Sequence, residues 1–193
     1  MARPREFEID EVLDAAMNAF WTKGYEATSM ADLMEAMNLK KGSIYKAFAD
    51  KHDLFSKALE HYLAGMDKQM RLMIEAAASP RAGIEAWLRQ GVEMCQGQGV
   101  KRGCLALNTA VELGPHDDSV AAILRNHHKR MLRMLSETIA HGQEQGQFRS
   151  DLEAGQLAQM LLIFGAGMLT TSKAFSDDVN IEEQAAMALG LLA

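Results

Sequence analysis

Ser29-Met30-Ala31-Asp32-Leu33-Met34-Glu35-Ala36-Met37-Asn38-Leu39-Lys40-Lys41-Gly42-Ser43-Ile44-Tyr45-Lys46-Ala47-Phe48 is the stretch on which the fold turns. Ser29 with Asp32 three residues later has nearly the spacing and chemistry of a capping box, so a helix starts there. Met30, Leu33, Met34 and Met37 recur at three and four residues and give that helix one apolar stripe. Asn38 then takes the left-handed conformation of a tight turn at little steric cost. A short second helix begins around Lys41-Gly42-Ser43. It buries Ile44 and Phe48, with Ala47 between them, and leaves Lys41, Ser43, Tyr45 and Lys46 largely outward. Two helices joined by so short a turn, the second polar and basic, form a helix-turn-helix.

The flanking sequence reads as helix throughout. Ile9, Val12, Leu13, Ala16, Met17, Phe20 and Trp21 mark one face of a first helix, which ends at Lys23-Gly24. Asp50 caps a long fourth helix that carries Leu54, Phe55, Ala58, Leu59 and Tyr62 onward to Ala78. Ser79-Pro80 opens a fifth, running to about Cys95, with Ile84, Trp87, Leu88 and Val92 inward. Gly97, Gly99 and Gly103 precede a short helix from Cys104 to Leu113, and Gly114-Pro115-His116-Asp117 is a second break. A helix from Ser119 to about His141 follows, then two more over about 152–175 and 181–192. The expectation is an all-α chain of about nine helices. A three-helix domain with the helix-turn-helix covers 1–49, and a larger helical domain covers 50–193.

Composition agrees and narrows the function. The 193 residues are 48% hydrophobic with a formal charge of −6, ordinary for a folded domain. The acidic total hides its distribution, because Asn38 to Lys57 holds five lysines against Asp50 and Asp53, with Arg3 and Arg5 upstream. DNA affinity comes from cations placed at phosphates, and net charge matters less. Two cysteines make no disulfide framework, and the amino terminus lacks the apolar core of a signal peptide. The longest apolar run, 160–169, is half the roughly 20 residues a membrane span needs. These features imply a cytoplasmic protein without membrane attachment. No phosphate loop, paired carboxylates, nucleophile elbow or metal-ligand spacing occurs, so no catalytic residue, metal or cofactor is expected. His127 and His128, adjacent on a helix, project about 100° apart and make a poor metal pair.

From Phe20-Trp21-Thr22-Lys23-Gly24-Tyr25 through Lys41-Gly42-Ser43-Ile44-Tyr45-Lys46-Ala47-Phe48 to Leu54, the chain resembles the TetR family of bacterial transcriptional regulators. The resemblance implies that the helix from Lys41 enters the major groove. Ser43, Tyr45 and Lys46 would face DNA, and Gly42 would permit close approach of the backbone. Thr28 and Ser29 would bring the amino end of the second helix to a phosphate, and Lys51 would meet another. It further implies a homodimer through the last two helices. Leu157, Leu161, Phe164 and Met168 would form the seam with Leu189, and Gly165 and Gly167 would let the partner approach; in a monomer these residues would simply be core. A double-stranded palindromic operator would be the partner, released by a small-molecule effector in the larger domain. The alternative is a helical small-molecule binding protein with a vestigial DNA domain.

Gly103-Cys104-Leu105 resembles the corresponding place in electrophile- and oxidant-sensing repressors of that family, and Lys173 falls where those sensors carry a lysine. The resemblance implies a sensor at Cys104 with Lys173 as partner; the alternative is that Cys104 is an inert small hydrophobe of the core. Lys101, Arg102 and the helix beginning at Cys104 would favour its thiolate. The many methionines, Met70, Met131 and Met134 among them, suit either core or an adaptable pocket.

Overall fold

The computed structural model describes residues 8–96, 102–175 and 178–193, which form nine helices and no strand. They are α1 (Ile9–Lys23), α2 (Met30–Ala36), α3 (Lys41–Ala47), α4 (Lys51–Ala76), α5 (Pro80–Met94), α6 (Leu105–Glu112), α7 (Asp118–Glu144), α8 (Ala154–Phe175) and α9 (Ile181–Gly190). Arg3, Arg5 and Lys101 lie outside the described residues.

Most helix starts are written locally. Ser29 accepts from the Asp32 amide while the Asp32 carboxylate accepts from the Ser29 amide, the reciprocal box expected from their spacing. Asp50 accepts from the Asp53 amide and Asp53 accepts back from the Ala49 amide, fixing the start of α4. Ser79 caps α5, with Pro80 at a first-turn position that has no intrahelical use for an amide. Asn38 sits at φ +50 between α2 and α3, the left-handed turn its side chain tolerates.

Compactness divides the chain differently from the partition at 49/50. One unit comprises residues 1–65 with 108–124, and the other comprises 66–107 with 125–193. In the first, Phe20, Leu33, Ile44, Phe48, Leu54, Phe55 and Leu59 are buried. Phe20 and Phe55 meet edge to face at 4.9 Å, and Tyr25 tilts against Phe55 at 4.8 Å. The first half of α4 belongs here because it supplies Leu54, Phe55 and Leu59 to this core. Residues 108–124 join it through two acids, Glu112 and Asp117, considered below.

The second unit packs Ile84, Leu88, Leu135, Ile139, Leu161 and Leu192 into one cluster, in which Met70 and Met131 are buried. These two methionines are therefore core filler. A smaller cluster joins Val92, Cys95, Met168, Ile181 and Ala185. By length and composition alone α8 is apolar enough to cross a membrane. Here its Leu157, Ala158, Leu161, Gly165 and Met168 are buried within the unit, as a central core helix requires.

Candidate nucleic-acid interface

The surface built by α2, α3 and the start of α4 begins with a division of labour on α3. Ile44 and the C-cap Phe48 point inward, at 1% and 2% exposure, and hold the helix to the core. Lys40, Lys41, Gly42, Tyr45 and Lys46 are exposed and Ser43 half-buried. Tyr45 stands 45% exposed, unusual for so large a ring, with the Lys41 ammonium 5.8 Å from its centre. The outward face therefore presents three cations, a phenol, a hydroxyl and one bare stretch of backbone. Cations suit phosphates, and the phenol and hydroxyl suit base edges or sugar. A β-carbon added at Gly42 would meet nothing within 4 Å, so the protein's own packing does not require glycine there. Lys40, the N-cap of α3, was not among the expected contacts, although its place in the lysine run was the available signal.

The amino end of α2 corrects the expectation there. Thr28 is fully buried and its hydroxyl donates to the Gly24 carbonyl. It braces the turn after α1 and has no surface for a phosphate. Ser29 is exposed, but its hydroxyl lies within the capping box. The Asp32 carboxylate occupies this helix end and is paired with Lys23. The Lys23 ammonium, then the Ser29 hydroxyl and amide, hold the Asp32 carboxyl well below the usual carboxylate range. A fixed negative charge thus sits where an anion was expected.

Lys51 begins α4 and lies over the Tyr25 ring at 4.3 Å, also donating to the Glu26 carbonyl at 3.4 Å. Burial first, then the nearby acids Glu26, Asp50 and Asp117, push the Tyr25 phenol up. Lys57 is committed to Asp53 at 2.7 Å.

The α8 seam is also corrected. Leu157, Leu161 and Met168 are buried inside their own unit, and Phe164 and Leu189 are half-buried against its clusters. Gly165 serves Trp87 of the same chain, since a β-carbon there would stand 3.2 Å from the indole. Exposed instead are Ile163, Gly167 and Thr170 on α8, Met187 and Gly190 on α9, and Leu191 at its C-cap. Ile163 is 64% exposed and Met187 60%, while nothing lies within 4 Å of a β-carbon built on Gly167 or Gly190.

Cys104 is buried immediately before α6, and neither cysteine is in a disulfide. Gly103 has φ +62, and the Lys173 stem lies so close that a β-carbon there would be 2.6 Å from its Cδ. Burial pushes the Cys95 thiol up, opposed by a hydrogen bond with Ser172. On α7, His127 is buried and bonded through Nδ1 to Asp67 at 2.8 Å, and Arg130 holds the other carboxylate oxygen. Desolvation lowers the His127 pKa against the pull of Asp67. Among its clefts the second unit has two lined by α5 and α9 and by α4 and α7. One, of about 460 Å³ between α5 and α9, has a Leu88, Val92 and Leu189 floor and Glu93 and Glu182 at its rim. The other, about 260 Å³, lies between α4 and α7 with Arg71, Arg133 and Met134 on its walls. Among the described residues no group of His, Cys, Asp and Glu could hold a metal ion.

Comparison with known proteins divides the chain into two consecutive stretches. Residues 12–58 match the family described as bacterial regulatory proteins, tetR family, and residues 80–188 match the tetracyclin repressor-like, C-terminal domain. Over its full length the chain is 26% identical to all of YezE, an uncharacterized HTH-type transcriptional regulator of Bacillus subtilis. It is 28% identical to the HTH-type transcriptional repressor ComR of Escherichia coli, over 89% of this chain and 82% of that protein. A solved structure of a cysteine mutant of the TetR family regulator CifR, complexed with 26-base-pair operator DNA, is 32% identical. It covers 98% of both chains with a TM-score of 0.80. The reduced form of Escherichia coli NemR superposes with a TM-score of 0.86 over 95% of this chain and 96% of its own, at 19% identity, a likeness of fold.

Proposed function

The chain belongs to the TetR family of bacterial regulatory proteins, and from that membership we propose that it is a homodimeric repressor of a palindromic operator, released by an effector. It is a DNA-binding transcriptional regulator. The observation that carries the reading is the outward face of α3, where Lys40, Lys41, Tyr45 and Lys46 are exposed beside a glycine that the fold does not need. The paired copy would come through Ile163, Gly167, Met187 and Leu191, which are presented outward and apolar. Two-fold symmetry then sets two α3 helices about 34 Å, or a small multiple, apart on successive grooves. Acting on chromosomal DNA, the protein works in the cytoplasm.

Release requires an effector that binds the two conformations unequally, by about 1–3 kcal/mol or more. The helix that runs through both compact units from Lys51 to Ala76 is the lever. The packing of Lys173 on Gly103 favours Cys104 as the trigger: its thiolate would add to an electrophilic carbon, and the adjacent carbon would take up a proton. The purified protein, mixed with fragmented genomic DNA, should retain specific fragments that sequencing identifies. The combined change of Lys41, Tyr45, Lys46 and Lys51 to Ala should abolish that retention. Unaltered retention by that variant overturns the reading. Unchanged operator affinity after full labelling of Cys104 overturns the thiol trigger alone.

A further inference from the structure

We propose that Glu112, at the carboxyl end of α6, is a positioning residue for operator binding that fixes the turn from which α2 and α3 are launched. The inference rests on α3 being the operator-reading helix.

That turn spans residues 24–28, and most of its bonds are local. Gly24 donates to the Phe20 carbonyl, Thr28 donates to the Tyr25 carbonyl, and the Thr28 hydroxyl closes back onto Gly24. The amides of Tyr25 and Glu26 have no such neighbour. They donate instead to the two carboxylate oxygens of Glu112, at 3.0 Å and 2.9 Å, from 87 and 86 residues away. Charge-assisted bonds of this kind are short, and two on one carboxylate fix an orientation as well as a distance. Gly24 makes room for them. Its φ is +85, and a β-carbon there would stand 3.1 Å from the carboxylate.

What the carboxylate fixes is the backbone under the Tyr25 ring. That ring packs on Phe20 and Phe55 and carries Lys51 on its face. Four residues after Tyr25, Ser29 begins the capping box of α2, and α3 follows across the single left-handed residue Asn38. The chain between Glu112 and the groove-facing lysines therefore has little slack. A few steps along the corner the arrangement recurs: Asp117 caps α7 and holds His52 of α4 at 2.7 Å. The helix that bears Glu112 starts at the residue after Cys104, so where α6 sits decides where the two acceptors stand.

The test compares wild type, Glu112→Gln, Glu112→Asp and the neighbouring surface change Val111→Ala, each as the full chain on the captured operator fragment. Operator affinity at several salt concentrations, helical content, and hydrogen exchange at the Tyr25 and Glu26 amides are measured. A misoriented headpiece makes fewer phosphate contacts. Glu112→Gln should therefore weaken binding about tenfold and flatten the dependence of log K on log salt by about one phosphate contact. The two amides should exchange faster, with helical content unchanged, while Glu112→Asp restores part of each effect and Val111→Ala none. Unchanged affinity overturns the proposal. So does a loss equal at every salt concentration, which marks a smaller folded fraction. If wild type retains no operator, the regulator reading fails, whereas amide exchange still reports whether Glu112 holds the turn.

Discussion

The ammonium of Lys51 lies 4.3 Å from the centre of the Tyr25 ring, which ties the first residue of α4 to the turn that precedes α2. The ammonium also donates to the Glu26 carbonyl at 3.4 Å, and if it serves the operator it does so through a phosphate. Changing Lys51 to Met keeps the apolar stem on the ring and removes the charge. Operator affinity should fall for specific and random duplex alike, with the log K against log salt slope reduced by about 0.9, the release of one counterion. An unchanged slope places Lys51 away from phosphate.

The outward face of α8 and α9 predicts the oligomeric state. Ile163→Asp puts a charge on a 64% exposed position, so the fold should survive while pairing through that face would be spoiled. Sedimentation should show the mass halve, and operator binding should collapse because one recognition helix holds only half a palindrome. Leu161→Asp, at a fully buried site, should instead unfold the chain. A dimeric Ile163→Asp protein would place the interface elsewhere.

Those two leucine-class positions show what the sequence could not resolve. On α1, α4 and α5 polar residues interrupt the apolar ones, and the buried stripe of Val12, Leu13, Ala16 and Phe20 was readable by spacing. From Leu157 to Leu169, α8 is apolar on almost every side. Spacing alone cannot tell the side facing its own core from the side facing a partner. Leu157, Leu161 and Met168 belong to the side facing their own core. Local signals held where one residue acts on its neighbours, as with the Ser29–Asp32 box and Asn38. They failed at Thr28, whose hydroxyl found Gly24, and at Glu112, whose partners are more than 80 residues away. No pattern within one helix reports such a contact.

Asp117 gives the corner a pH dependence. Its carboxylate accepts first from the Ser119 hydroxyl, then from the Val120 amide and His52, and is held well below the usual carboxylate range. A lowered folded pKa means stability that is present above the ordinary value, about 3.9, and is lost as the pH falls below it. Asp117→Asn keeps a capping side chain without the charge. The gap in urea midpoint between wild type and this variant should be widest near pH 6 and narrow steadily toward pH 3. A gap constant across that range would show that the charge contributes nothing.

Gly42 separates what the fold needs from what the operator needs. It sits at the second position of α3 with open space where a β-carbon would be, and its φ is in the ordinary helical range. Alanine is worth about 0.5–1 kcal/mol more than glycine inside a helix, because it loses less backbone freedom on folding. Gly42→Ala should therefore leave the chain equally or slightly more stable to urea. The added methyl nonetheless stands on the exposed face of α3, between Lys41 and Ser43. If backbone approaches DNA there, the variant gains stability and loses operator affinity at once, by about tenfold or more. The opposite signs are the point of the measurement, since a general disturbance would lower both. Stability and affinity that both hold would mean the duplex never comes within a methyl's width of Gly42. The contact would then have to be assigned to Tyr45 and the lysines.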